Sequence, residues 1–232
     1  KYVAGFTIPA ATAISFLSEG YGTWLAIFYG FVVLPTLELF LPSSRTNLTA
    51  AEVEVVKEDK GYDWMLWSMV LVQYALLVWF LFDLSTGARD MWSFEWWGFV
   101  LAMGLSCSIL GINVAHELGH RREKHNQLMA QALLTTSLYT HFFIEHNQGH
   151  HRNVATEEDP GTARRNEWLQ VFWCRAVFLA WYSAWQIEAK NMRRRGQSPW
   201  HTSNLFLRLQ ALQWSLLATV WIVLGWQVGV AW

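Results

Sequence analysis

Long apolar runs separated by short polar stretches dominate the chain. Residues 64–82, 96–115 and 209–232 contain no Asp, Glu, Lys or Arg, and each run approaches the roughly 20 residues that cross a bilayer core as helix. With their flanks they predict spans over residues 62–83, 92–115 and 207–232. Two shorter runs precede them, 3–18 and 21–41, separated by Glu19 and Gly20 and interrupted by Pro9 and Pro35. Neighbouring groups can re-satisfy the backbone around a membrane proline, so these runs predict a tight helical hairpin whose first arm is short enough to lie in the interface instead. Two further stretches, 128–145 and 168–190, are apolar but interrupted by Gln131, Thr135, Thr136, Thr140 and His141 in the first and Arg175 in the second. They predict interfacial helices. The expected fold is all-α, an integral membrane helical bundle forming one domain over residues 1–232.

Composition agrees with lipid as the main solvent: 15% of residues are charged, where soluble domains carry about a quarter. The 16 tryptophans gather near the ends of the proposed spans, as amphipathic rings do at headgroup level. A net charge of −1 without a basic stripe interleaved with aromatics excludes a nucleic-acid partner. The connector 42–61 holds Arg45, Lys57 and Lys60, and residues 121–208 hold most of the other cations, whereas 85–95 holds only Arg89. The positive-inside rule therefore places the first two regions in the cytoplasm. That topology brings the histidines to the cytoplasmic face, provided that 128–145 does not cross. Cys107 and Cys174 lie apart in apolar segments and make no metal-binding pair.

Candidate chemistry is concentrated in two runs, His116-Glu117-Leu118-Gly119-His120 and Glu145-His146-Asn147-Gln148-Gly149-His150-His151. On a helix His116 and His120 project from one face, and so do His146 and His150, with His151 about 100° further round. Neutral imidazole suits iron, zinc, copper and nickel. The first run also fits H-E-x-x-H, in which a zinc protease uses the glutamate as general base, but that reading leaves the second run without a role. A site of five histidines, His116, His120, His146, His150 and His151, uses both. Glu117, Glu145 and His141 are then candidates for orienting imidazoles. Gly104, Ser108 and Gly111 share a face of the 92–115 span and could leave room for an apolar chain, with Trp24 and Phe28 bounding it; close helix packing is the simpler reading of such small residues.

These motifs, with HFFIEHNQGHH running into RNVATEEDP and the later RRRGQSPW, resemble the membrane-bound alkane 1-monooxygenases, relatives of xylene monooxygenase and, more distantly, of fatty-acid desaturases. The resemblance is strong over residues 113–200. It implies two iron ions held by histidines, hydroxylation of the terminal carbon of medium-chain alkanes with O2, and electrons from rubredoxin, reduced in turn by a nicotinamide-dependent reductase. It further implies a bacterial inner membrane with the site on the cytoplasmic side. The family's later boxes, of the N-Y-x-E-H-Y-G and H-S-D-H-H types, do not occur in the chain. On that comparison the sequence is expected to be incomplete at its C-terminus, and by itself to hold iron weakly and be inactive. A xylene-type or desaturase-like oxidase is the nearest alternative within the resemblance.

Overall fold

A computed structural model describes residues 2–41, 47–57 and 59–232. Residues 42–46 of the connector, including Arg45, lie outside the described residues. Every regular element among the described residues is helical. In chain order these are α1 (Thr7–Leu17), α2 (Gly20–Phe40), α3 (Ala50–Lys57), α4 (Lys60–Ser85) and α5 (Phe94–Gly119). After α5 come α6 (Lys124–Thr136), α7 (residues 142–153), α8 (Leu169–Arg194), α9 (Leu205–Leu224) and α10 (Trp226–Ala231). Among them α2, α4, α5 and α9 are long and apolar enough to cross a membrane, whereas α1 is shorter. The expected 207–232 span is divided, because Gly225 at φ 101° separates α9 from α10.

Contacts group residues 1–114 with 220–232 as one compact unit, and 115–219 as a second. In the first, Asp59 and Ser93 start α4 and α5 by accepting the Gly61 and Trp96 amides, which satisfies donors that the first helical turn leaves open. The core is aromatic: Phe16 lies 4.3 Å from Phe99 and 6.2 Å from Phe80 between ring centroids, and Phe80 stacks on Phe99 at 5.2 Å. Buried polar side chains in this unit find partners, Gln73 among them. Gln73, fully buried, accepts the Ser106 hydroxyl at 2.6 Å and donates to Cys107 Sγ at 3.4 Å, so no amide atom faces lipid unpaired. Arg89 ends this core, donating to Asp83 and to the Phe16 carbonyl while its guanidinium lies 4.3 Å from the Phe99 ring centre.

In the second unit α8 is a single 26-residue helix, longer than the expected 168–190. The expected 128–145 helix is divided at residues 137–141. Leu138 adopts a left-handed φ of 50°, its amide reaches the Thr135 carbonyl, and the Tyr139 amide reaches Leu134. This is the Schellman arrangement of a helix end, built on a leucine at a cost of about 1 kcal/mol. Thr140 then anchors the break, because both its amide and its hydroxyl donate to Gln213 Oε1, at 3.1 and 2.9 Å. Gln210 donates to the same hydroxyl and accepts the Trp181 indole N–H. Ile144, Ala184, Phe206 and Leu209 form the apolar core that α7 shares with α8 and α9.

Replacing Phe99, which is fully buried, by alanine leaves a cavity between two rings. The expected cost is about 3 kcal/mol, measured as a fall in the thermal midpoint of the detergent-solubilised chain.

Candidate metal centre

Four imidazoles of the second unit converge. His116 and His120, at the end of α5 and just beyond it, bring their Nε2 atoms to 2.8 Å, as expected for residues four apart on an α-helix. From α7, His146 Nε2 lies 3.2 Å from that of His120, and His151 Nε2 lies 3.2 Å from His120 and 3.0 Å from His146. All four offer a ligand atom within 4.8 Å of the others.

The membership of this cluster follows from a local change of helix type. On an α-helix His151 would sit about 140° from His146. Residues 146–150 instead form a π-turn, whose wider i→i+5 closure brings the fifth residue back over the first. His151 thereby meets His146, while His150 is directed elsewhere: its ring stacks beside His146 at 5.1 Å, and its Nδ1 lies 3.0 Å from Asp159 Oδ2. The sequence had paired His146 with His150, and the π-turn changes that pairing.

The spacing fits a metal ion. Ligand nitrogens about 2.05 Å from an ion are separated by about 2.9 Å at right angles and about 3.3 Å at tetrahedral angles. Hydrogen bonding alone cannot account for the group, since each Nε2 of a neutral imidazole is either one donor or one acceptor, and His120 has three such neighbours. Burial, followed by the neighbouring histidines, pushes the His146 pKa down to about 3. The same causes lower that of His120, against a smaller opposing pull from Glu117. Both shifts favour the neutral imidazole, the form that ligates metal. Phe142 stacks on His146 at 4.7 Å and 18°, fixing the ring plane.

The expected supporting residues divide. The Glu117 carboxylate is 3.7 Å from the Arg121 guanidinium and 43% exposed. Glu145 is buried, and burial, reinforced by the Asp159 charge, pushes its pKa up to about 7 against the pull of His150 and Ser183. Gly149 is what admits it, because a Cβ there would stand 2.5 Å from Glu145 Oε1. His141 is buried with neither ring nitrogen hydrogen-bonded, and its ring packs edge-on against Tyr139. His201 bonds to Ser203 at 2.8 Å and His125 is exposed; neither joins the four. The small-residue face belongs to the first unit, where Gly104 and Ser108 are exposed, Gly111 is buried, and Trp24 stacks on Phe94 while donating its indole N–H to the Phe94 carbonyl. One residue not singled out in the sequence is Asp159, whose side chain is fully enclosed at the back of His150. Its advance signals are the acidic run Glu157-Glu158-Asp159 following the histidines and its place in the RNVATEEDP stretch of the resemblance.

The sequence profile of the fatty acid desaturase family matches residues 92–232, which include every histidine described above. The chain belongs to this family. Within it, the chain is 37% identical over 194 residues to an alkane 1-monooxygenase of Pseudomonas putida, covering 81% of this chain and 46% of that protein. It is 34% identical over 208 residues to alkane 1-monooxygenase 1 of Alcanivorax borkumensis, covering 88% and 50%. A more distant family relative is the hydroxylase component of the xylene/toluene monooxygenase of Pseudomonas putida, 29% identical over 211 residues. The chain spans about half the length of the curated relatives that it matches.

His141 gives the metal-free centre a pH dependence. Burial lowers its pKa from 6.5 to about 4, so on acidification the unfolded chain takes up the proton first. Its contribution is complete above pH 6.5 and declines as the pH falls towards 4, by at most about 3 kcal/mol. Thermal midpoints of chelator-treated protein across that window should fall less steeply in His141→Phe than in the unaltered chain.

Proposed function

We propose that the chain carries the histidine centre of a membrane di-iron monooxygenase that hydroxylates the terminal carbon of medium-chain alkanes with O2. The observation that carries this reading is the convergence of four imidazoles in a chain whose similar proteins are alkane 1-monooxygenases. His116, His120, His146 and His151 would hold one iron, and His150, with its Nε2 left free by the Asp159 contact, would serve the second. Two irons would supply the activation of O2 that an unactivated C–H bond requires, because such a bond offers no charge for an acid or base to act upon.

The chain's own residues set the conditions for that chemistry. Burial favours the neutral form of His146 and His120. Phe142 keeps His146 in plane, and burial pushes the Glu145 pKa up to about 7, which reduces the negative charge beside the histidines at neutral pH. An apolar substrate would come from lipid; Gly104, Ser108 and Gly111 would leave space for an apolar chain along α5, with Trp24 and Phe28 as its bounds. Electrons would come from rubredoxin, reduced by its nicotinamide-dependent reductase. In support, Arg152, Lys190 and Arg194 line a cleft of about 340 Å³ beside Gln148 and Gly149 of the histidine run, a surface suited to an acidic carrier. By the positive-inside rule the same cations favour a cytoplasmic position for this face, at a bacterial inner membrane.

Metal analysis and product analysis on the full-length protein test the proposal together. The expected content is about two irons per chain, with most of it lost in His120→Ala, and the expected product is a primary alcohol from a medium-chain alkane. One zinc per chain with peptide cleavage would replace this reading by that of a protease. Oxidation of ring methyl groups without alkane turnover would replace it by the xylene-type activity.

A further inference from the structure

The segment between α7 and α8 is irregular, yet it is held at many points, and several of them bear on one carboxylate. Asp159 Oδ1 accepts the Gly161 amide at 2.9 Å. Its Oδ2 accepts the Thr162 hydroxyl and faces His150 Nδ1 at 3.0 Å. Thr162 Oγ1 in turn accepts the Ala155 amide, closing the segment on itself. Gly161 permits this approach, since a Cβ there would lie 3.2 Å from His150 Nδ1.

A second layer fixes the segment to α8. Arg175 makes a two-pronged ion pair with Glu167, Nε to Oε1 at 2.6 Å and Nη2 to Oε2 at 2.8 Å. The same guanidinium donates to the Thr162 carbonyl at 2.9 Å and the Pro160 carbonyl at 3.3 Å, the residues on either side of Gly161. The pair is well shielded, with side-chain exposures of 14% and 7%, and a planar guanidinium in this bidentate geometry specifies orientation as well as energy.

An ionised carboxylate can only accept. Facing Nδ1, it requires that nitrogen to carry the ring proton, which leaves the lone pair on Nε2. This is the arrangement by which a carboxylate selects the tautomer of a metal-binding histidine and raises its basicity. We propose that Asp159 is a positioning residue for His150, fixing its tautomer and aiming Nε2 at a transition-metal ion, and that the Arg175–Glu167 clamp holds Asp159 in place for this purpose. The inference rests on the proposed metal-binding role of the histidine centre. It makes His150 a ligand supported from behind, unlike the four that converge directly, and it gives α8 a part in metal binding through a loop that contains no histidine.

The test is a Co2+ titration of the chelator-stripped, full-length protein in detergent, read by the visible absorption of bound Co2+, with thermal midpoints of the metal-free variants alongside. Asp159→Asn is expected to weaken Co2+ retention by about 10- to 100-fold and to alter the Co2+ spectrum, with Asp159→Glu recovering part of the loss. Arg175→Lys should weaken retention in the same direction by less. In a His150→Ala background, Asp159→Asn should cause no further loss, because the carboxylate then has no imidazole to act through. Thr162→Val, which removes one bond to the carboxylate, carries the same His150-dependent test should the Asn variant not fold. Unchanged retention in Asp159→Asn overturns the inference alone, as does an equal loss with and without His150. No Co2+ binding by the unaltered protein overturns the metal-centre reading together with it.

Discussion

The second unit is organised around the demand that four imidazole nitrogens lie about 3 Å apart. Protonated, such a group would repel itself. Neutral, it cannot satisfy every nitrogen by hydrogen bonds within the group. The chain maintains it with helices that arrive already folded, with a stacked phenyl ring against His146, and with burial that keeps the most enclosed imidazole unprotonated at neutral pH. The cost of assembling the site is met by folding, so that an arriving ion meets ligands already close to their final spacing. A preorganised site of this kind gives up less chain freedom on binding than one that must be collected from a flexible segment.

Much of this was legible in the sequence because two of its signals are unusually direct. An uncharged run of about 20 residues needs no periodicity to be recognised as a candidate span; α4 and α5 overlap such runs, whereas α2 overlaps a shorter run and α9 takes up only the first part of residues 209–232. Histidines four apart at the end of one of them mark where chemistry concentrates. The break at residues 137–141 had no such signal. Helix ends of that geometry usually advertise themselves by glycine or asparagine at the left-handed position, whereas here it is Leu138, held by contacts to glutamines more than 70 residues away. The pairing of His151 with His146 was likewise hidden, because an α-helical projection cannot anticipate a π-turn. Asp159 and Arg175 lie 9 and 25 residues beyond His150, and nothing periodic connects them to it.

The two units handle buried polarity by different means. In the first, apart from the Arg89–Asp83 pair at the end of its core, one glutamine is satisfied by a serine and a thiol on the neighbouring helix, which removes polar groups from contact with lipid. In the second, ionisable side chains are brought together and then restrained: one arginine is bound by one glutamate and two carbonyls, one aspartate by an amide, a hydroxyl and an imidazole. Polarity is neutralised in place in the one case and directed at a site in the other. Only the second pattern stakes a function on hydrogen-bond geometry.

The π-turn at residues 146–150 carries a consequence for how this chain tolerates change over evolutionary time. What the turn fixes is a count. The side chains of Asn147 and Gln148 can vary in chemistry without altering which histidines face one another, but losing a single residue between His146 and His150 would keep His151 on the face of His146 only if the π-turn reverted to an α-turn, and would carry His150 to the third position after His146. Gaining one would bring His150 to the fifth position, in the place of His151. Alterations of length in this stretch should therefore be far rarer among descendants than alterations of identity, so that the interval between the histidines is inherited more strictly than the residues that fill it.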